Sequence, residues 1–92
     1  MLPIQCKMAR SALALGIREL AELAKVSPDT VARFERGERL RERTVEDLRR
    51  VLEASGVEFI AENGGGPGVR LKKSSARDFQ EGPDELNASN DD

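Results

Sequence analysis

Two rhythms of apolar and polar positions run along this chain, and they change at residue 57. Through residues 3–56 the apolar side chains return every three or four places, the period of helices packed along one face. Cys6, Ala9 and Leu13 mark a first helix within residues 3–15, its stripe narrow enough for another helix to approach closely. Leu15 and Gly16 break it. Leu20, Ala21, Leu23 and Ala24 carry a second helix over 17–24, and Val31 and Phe34 carry a third over 28–36. Val45, Leu48, Val51 and Leu52 form the stripe of a last helix, which Ser55 and Gly56 end. From residue 57 the period falls to two. VEFIAE (57–62) and VRLKK (69–73) alternate around the reversal NGGGPG, so they read as a β-hairpin with Val57, Phe59, Val69 and Leu71 on one face. After residue 73 no rhythm remains. Residues 74–92 are polar and acidic, and Phe79 and Leu86 are too isolated to build a core, which predicts a disordered tail.

The helix ends add detail. Pro3 suits a first helical position, but Leu2 before it offers no capping oxygen, so that start is expected to fray. Residues 20–37 hold the sharpest reversal. Val26 carries an apolar side chain into a short connection, Ser27 offers a hydroxyl cap, and Pro28 fits the first position of the next helix. Gly37 takes the left-handed conformation that stops it. Two short helices joined in this way make a helix-turn-helix, whose second helix can stand in the major groove of DNA. Ala21 is expected where the two helices cross, since a larger side chain would overpack the contact. Lys25 is expected to take a positive φ in the turn, at a cost of about 1 kcal/mol. Of ERLRER after Gly37, only Leu40 suits the core. Thr44 is the expected cap of the last helix, with Asp47 favouring the positive end of its dipole.

Composition narrows the function more than the fold. Aromatic residues are 3% of the chain, with no Trp or Tyr, which disfavours an aromatic ligand cage or a base-stacking platform. The absence of His and the single Cys6 remove nearly every route to a zinc site, a Cys-His pair or a histidine base, so no catalytic residue, metal or cofactor is expected. Cys6 is read as a small core residue. The glycines of NGGGPG lack the strand–GxxxxGK[ST]–helix order of a phosphate loop. A lone Cys, no signal peptide and no long apolar run predict a cytoplasmic location without membrane contact.

The net charge of −2 changes meaning when the chain is divided at residue 74. Residues 1–73 hold 14 Lys and Arg against 11 Asp and Glu, a net of +3, and residues 74–92 hold 1 against 6, a net of −5. Arg33, Arg36, Arg39, Arg41 and Arg43 fall in one stretch, which suits either phosphate contact or an ordinary solvated loop. Arg10 falls one turn after Cys6 on nearly the same face. It therefore either pairs with an acid, Glu35 being the best placed, or reaches solvent.

Arg10, Leu20-Ala21 with Leu23-Ala24, Val26-Ser27, Val31, Phe34-Glu35 and Gly37 together resemble the Cro/CI-type (XRE) helix-turn-helix regulators of bacteria and phages, over roughly positions 4–55. GVEFIAENGGGPGVRL looks like the carboxy-terminal extension of a subset of small bacterial members. The resemblance implies a mainly α fold: a compact, lambda-repressor-like helix-turn-helix domain of four to five helices over 1–56, a β-hairpin extension over 57–73 and the disordered acidic tail over 74–92. It implies sequence-specific binding of double-stranded DNA, usually as a repressing dimer on a palindromic operator, and a buried ion pair of Arg10 with Glu35. Transferred position by position, the base-reading surface is Pro28, Asp29, Ala32 and Arg33, while Ser27, Thr30, Arg36, Arg39 and Arg41 lie nearer the phosphates. Arg33 suits the O6 and N7 of guanine; Asp29 either accepts from a cytosine amino group or favours the helix N-terminus. Ile17 in place of a common Gln, Lys25 in place of the usual turn Gly, and the missing Pro after Gly37 depart from the family pattern.

A dimer needs a surface, and the helices offer no obvious spare apolar face. The hairpin does: Ile60 lies on its outer face among Glu58, Glu62 and Arg70, and its strand edges are unpaired, so it either joins two copies or only caps its own domain. The second function class is an antitoxin or adaptor whose hairpin or acidic tail holds a protein partner.

Overall fold

The apolar stripes become four helices in the computed structural model, which describes residues 1–72: α1 (Pro3–Leu13), α2 (Ile17–Ala24), α3 (Pro28–Glu35) and α4 (Glu42–Ser55), followed by β1 (Val57–Ile60) and β2 (Gly68–Leu71). The expected tail and Lys73 lie outside the described residues. Cys6 and Ala9 of α1, Leu20, Ala21 and Ala24 of α2, Val31 and Phe34 of α3, and Leu48 and Leu52 of α4 are buried together with Val57 as one core. Removing this apolar surface from water is the main force that holds four short helices together, since none of them is long enough to be stable alone. Ala21 is buried where α2 packs on its neighbours, as a small side chain there requires. Leu23 departs from expectation: it stands 52% exposed, because the stripe that α2 buries is centred on Ile17, Leu20, Ala21 and Ala24, and Leu23 falls to one side of it.

Three helices end in the same way. After α1, Ala14 takes φ 58°, with Leu15 N–H donating to Arg10 O at 2.9 Å and Ala14 N–H to Ser11 O at 3.2 Å. After α2, Lys25 takes φ 60°, with Val26 N–H donating to Ala21 O at 3.0 Å and Lys25 N–H to Glu22 O at 3.3 Å. After α3, Gly37 takes φ 99°, with Glu38 N–H donating to Arg33 O at 3.0 Å and Gly37 N–H to Phe34 O at 2.9 Å. This paired pattern satisfies carbonyls that a helix end leaves without partners. It also moves the end of α1 from the expected Leu15 and Gly16 to Leu13, because Ala14 makes the left-handed turn and releases Leu15 to pack on the core.

Two helix starts differ from the expectation. Leu2 offers no cap, yet α1 does not depend on one: Leu2 N–H donates to Gln5 Oε1 at 2.9 Å, and Gln5 Nε2 donates to Ile60 O and Gly68 O at 3.0 Å each. The buried Gln5 thus closes the helix start with one end of its amide and ties both strands to α1 with the other. Thr44 is not the cap of α4, which begins at Glu42 with Arg41 before it and no side-chain cap. A cap preference of about 1 kcal/mol is offset here by Glu42 and Arg43, good helix formers whose first-turn acid suits the dipole.

The strands pair antiparallel, Val57 with Leu71, Glu58 with Arg70, Phe59 with Val69 and Ile60 with Gly68. Val57, Phe59, Val69 and Leu71 turn toward the helical core, and Glu58 meets Arg70 at 2.8 Å on the outer face. Both strands are shorter than the alternating pattern predicts. Glu62 leaves the ladder because its carboxylate accepts from Gly64 N–H at 3.0 Å and Gly66 N–H at 3.2 Å, closing the glycine reversal. Beyond β2, Lys72 Nζ donates to Glu53 O at 2.8 Å and so caps the last turn of α4. Among the described residues no helix is long and apolar enough to cross a membrane.

Candidate nucleic-acid interface

α3 has two working sides. Its start is set by Ser27, whose hydroxyl accepts from Thr30 N–H at 3.1 Å and lies 2.8 Å from the Thr30 hydroxyl. Pro28 follows at the first helical position. On the inner side Val31 and Phe34 enter the core, and Glu35 meets α1. Arg10 donates through Nε to Glu35 Oε2 at 2.7 Å and through Nη2 to Oε1 at 2.8 Å, a bidentate pair, while its Nη1 donates to Leu15 O at 3.1 Å. The Glu35 side chain is only 5% exposed and that of Arg10 15%.

Cys6 belongs to this cluster as well as to the core, because its thiol donates to Glu35 Oε2 at 3.2 Å. Burial, followed by the Glu35 carboxylate, pushes the Cys6 thiol up to about 12. Burial pushes Glu35 up as well, but the hydrogen bonds from Arg10 and Cys6 and the Arg10 charge outweigh it and hold the carboxyl below its ordinary value. The bond to Glu35 raises Arg10 in turn, against burial. Fastened at its last turn in this way, α3 has a fixed rotation about its axis, and its remaining face is directed outward.

That outer face carries Pro28 and Asp29, both exposed, with Ala32 and Arg33 partly so. Thr30 and Arg33 share a groove with Arg39, Leu40, Arg41 and Thr44, so the chain after α3 returns beside it and brings two more guanidinium groups alongside. Leu40 anchors this return by packing against the core. Among the described residues, no carboxylate lies within 4.0 Å of Arg39, Arg41 or Arg43. Arg33 and Arg36 differ. Glu38 accepts from Arg33 Nε at 3.0 Å and from Arg36 Nη2 at 3.1 Å, and Asp29 stands 3.6 Å from Arg33 Nη1. Arg36 first and then Arg33 draw the Glu38 carboxyl below its ordinary value, and Glu38 raises Arg33.

Ile17 packs against the core at the start of α2 and offers no polar atom to a phosphate. Ile60 is partly exposed at the end of β1, opposite Gly68. Among the described residues the large exposed apolar side chains are Ile4 of α1 at 54%, Leu2 just before it at 49% and Leu23 of α2 at 52%, so the helices do leave apolar surface uncovered.

Glu38 and Gln5 are the residues that sequence reasoning missed. For Glu38 the signal was present: a helix stopped by a left-handed Gly37 lays the residue after that glycine back across its last turn, within reach of an arginine five positions earlier. For Gln5 the signal was an amide lying on the same stripe as Cys6 and Ala9. Among the described residues no cluster of three or more His, Cys, Asp or Glu suited to a metal ion occurs. A protein-family model described as a helix-turn-helix domain matches residues 5–59, which begins within the first turn of α1, takes in α2, α3 and α4 whole and reaches into β1. Comparison with curated proteins found no match.

Proposed function

The chain belongs to the helix-turn-helix domain family, of the Cro/CI kind, and from that premise we propose that it regulates transcription, as a repressor, by standing α3 in the major groove of a specific duplex. The observation that carries this reading is the division of α3 into a fastened inner side, held by Arg10 on Glu35, and an outer side bearing Pro28, Asp29, Ala32 and Arg33. In this reading Arg33 bonds a guanine, and Ser27, Thr30, Arg39 and Arg41 meet the flanking phosphates, with Arg36 a weaker contributor because Glu38 already holds it. A single such unit reads few base pairs, so two copies bind a palindromic operator with half-sites about 34 Å apart. Ile60 and the free strand edges are the surface proposed to join them.

Selection of bound duplexes from a random pool tests the proposal. It should return one enriched half-site, repeated with two-fold symmetry; an enriched half-site without a repeat would remove the dimer and leave the DNA reading standing. On the recovered duplex, Arg33→Ala should lose about tenfold in affinity and relax preference at one base pair. Arg39→Ala should weaken every duplex alike and flatten the salt dependence by about one phosphate. Equal losses from both variants on all duplexes would refute these roles. The exposed Leu2 and Ile4 favour a second reading, a protein-binding module of the antitoxin or adaptor type, which a selection without enrichment would bring forward.

A further inference from the structure

The residue that follows the left-handed position after each of the first three helices is laid back over the final turn by the same pair of backbone bonds. After α1 it is Leu15 and after α2 it is Val26, and both pack against the core. After α3 it is Glu38, a charge on the outer face. One carboxylate there spans two cations, Arg33 in the last turn of α3 and Arg36 at its cap, at 3.0 Å from Arg33 Nε and 3.1 Å from Arg36 Nη2. The side chains of Arg33 and Glu38 are 41% and 49% exposed, a depth at which an ion pair adds little to stability. Holding the fold together therefore does not account for this arrangement.

We infer that Glu38 is a positioning residue that sets sequence discrimination, bracing Arg33 by Nε so that the Nη1 and Nη2 edge is the one offered to guanine. This rests on the DNA-binding reading above. A guanidinium has two donor edges that fit the O6 and N7 of guanine, one formed by Nε and Nη2 and one by the two terminal nitrogens. Glu38 occupies Nε, and the contact of Nη1 with Asp29 is long at 3.6 Å, so the terminal edge is the one free to be drawn onto a base. The same carboxylate offsets the charge of Arg36 and repels phosphates near it. It thereby lowers attraction to every duplex while leaving the guanine contact intact, and specificity is the difference between those two affinities.

The test uses the full chain with Glu38→Gln, which keeps the side chain's size and removes its charge, and with Arg33→Ala and the double variant. Affinities for the selected duplex and a scrambled one are measured across a salt series. Glu38→Gln should bind the scrambled duplex about fivefold more tightly, with a salt slope steeper by about one phosphate. Its ratio of selected to scrambled affinity should fall on the order of tenfold. In the Arg33→Ala background the second change should no longer move that ratio. Equal tightening on both duplexes, with the ratio unchanged, overturns the inference and leaves Glu38 as a charge alone. The Arg33 Nε–H resonance of the DNA-free protein gives an independent reading: it should be resolved and slow to exchange in the native chain and merge with the other arginines in Glu38→Gln. A native resonance already merged overturns the bracing whatever DNA does. A held resonance in a chain that binds no duplex overturns the DNA reading, and the discrimination role falls with it.

Discussion

Glu35 and Glu38 lie three positions apart at the end of one helix, and each is gripped by arginine. The Glu35 side chain is 5% exposed, clasped by Arg10 from another helix; Glu38 is 49% exposed and holds Arg33 of α3 and Arg36 just past its end. The bond lengths hardly differ, from 2.7 Å inside to 3.1 Å outside. Depth separates them. Inside, neither charge can recover the water it lost, so each needs the other, and the pair dictates how α3 is seated on α1. Outside, solvent stands ready to replace either partner, so the pair can open for a ligand at little cost. One chemical motif thus serves as a fastener on one side of the helix and as an adjustable contact on the other.

The strongest way to break this contrast is at the inner pair. Arg10→Met should lower unfolding free energy by about 3 to 5 kcal/mol in chemical denaturation, because it strands the Glu35 charge. The double variant Arg10→Met, Glu35→Leu should recover much of that loss, and additive losses in the cycle would put the inner pair on the same footing as the outer one. The acid limb sharpens the same point. Glu35 has its carboxyl held below the ordinary value, so the unfolded chain takes up that proton first as pH falls. Its stabilisation is complete above the ordinary carboxylate value of about 4.3 and disappears as pH falls through the lowered native value. Glu35→Gln should therefore unfold at lower denaturant near neutrality but show a shallower loss of stability below about pH 4. Gln5→Leu has the next largest expected effect, about 1 to 3 kcal/mol, since it strips partners from the carbonyls of Ile60 and Gly68. Hydrogen exchange should quicken in β1 and β2 first, with α2 and α3 still protected. Smallest is Glu38→Gln, whose thermal midpoint should stay where the native chain has it.

The sequence made the helix-turn-helix legible because its determinants are local. Apolar residues at helical spacing, a Ser-Pro start and a Gly stop each act within one turn of the chain, and Lys25 at φ 60° follows from the same short-range sterics. Strand pairing was legible for a related reason, since two alternating runs around NGGGPG admit few registers. What local reasoning lost was competition between near-equal local choices. Thr44 was a good cap beaten by two good helix formers in front of it, and Ala14 rather than Gly16 turned α1 because Leu15 gains more by packing on the core than Ala14 loses by its left-handed backbone. Of the candidate interface, the face of α3 left outside the core was readable from the helical period and from family resemblance. The pairing of Arg33 with Glu38 was not, because it depends on how the chain doubles back after Gly37.

Cys6 sits beneath all of this, fully enclosed between α1 and α3, its thiol pushed up to about 12 by burial and by the neighbouring carboxylate. Thiolate, not thiol, attacks alkylating and disulfide reagents, so the closed molecule offers them almost nothing at neutral pH. Modification has to wait for α1 to part from α3. As the chain's one sulfhydryl, Cys6 is therefore a clock built into the packed seam between these helices. Its labelling rate counts openings per unit time, and the slowing of that rate when a duplex is added would measure how firmly DNA keeps the molecule shut.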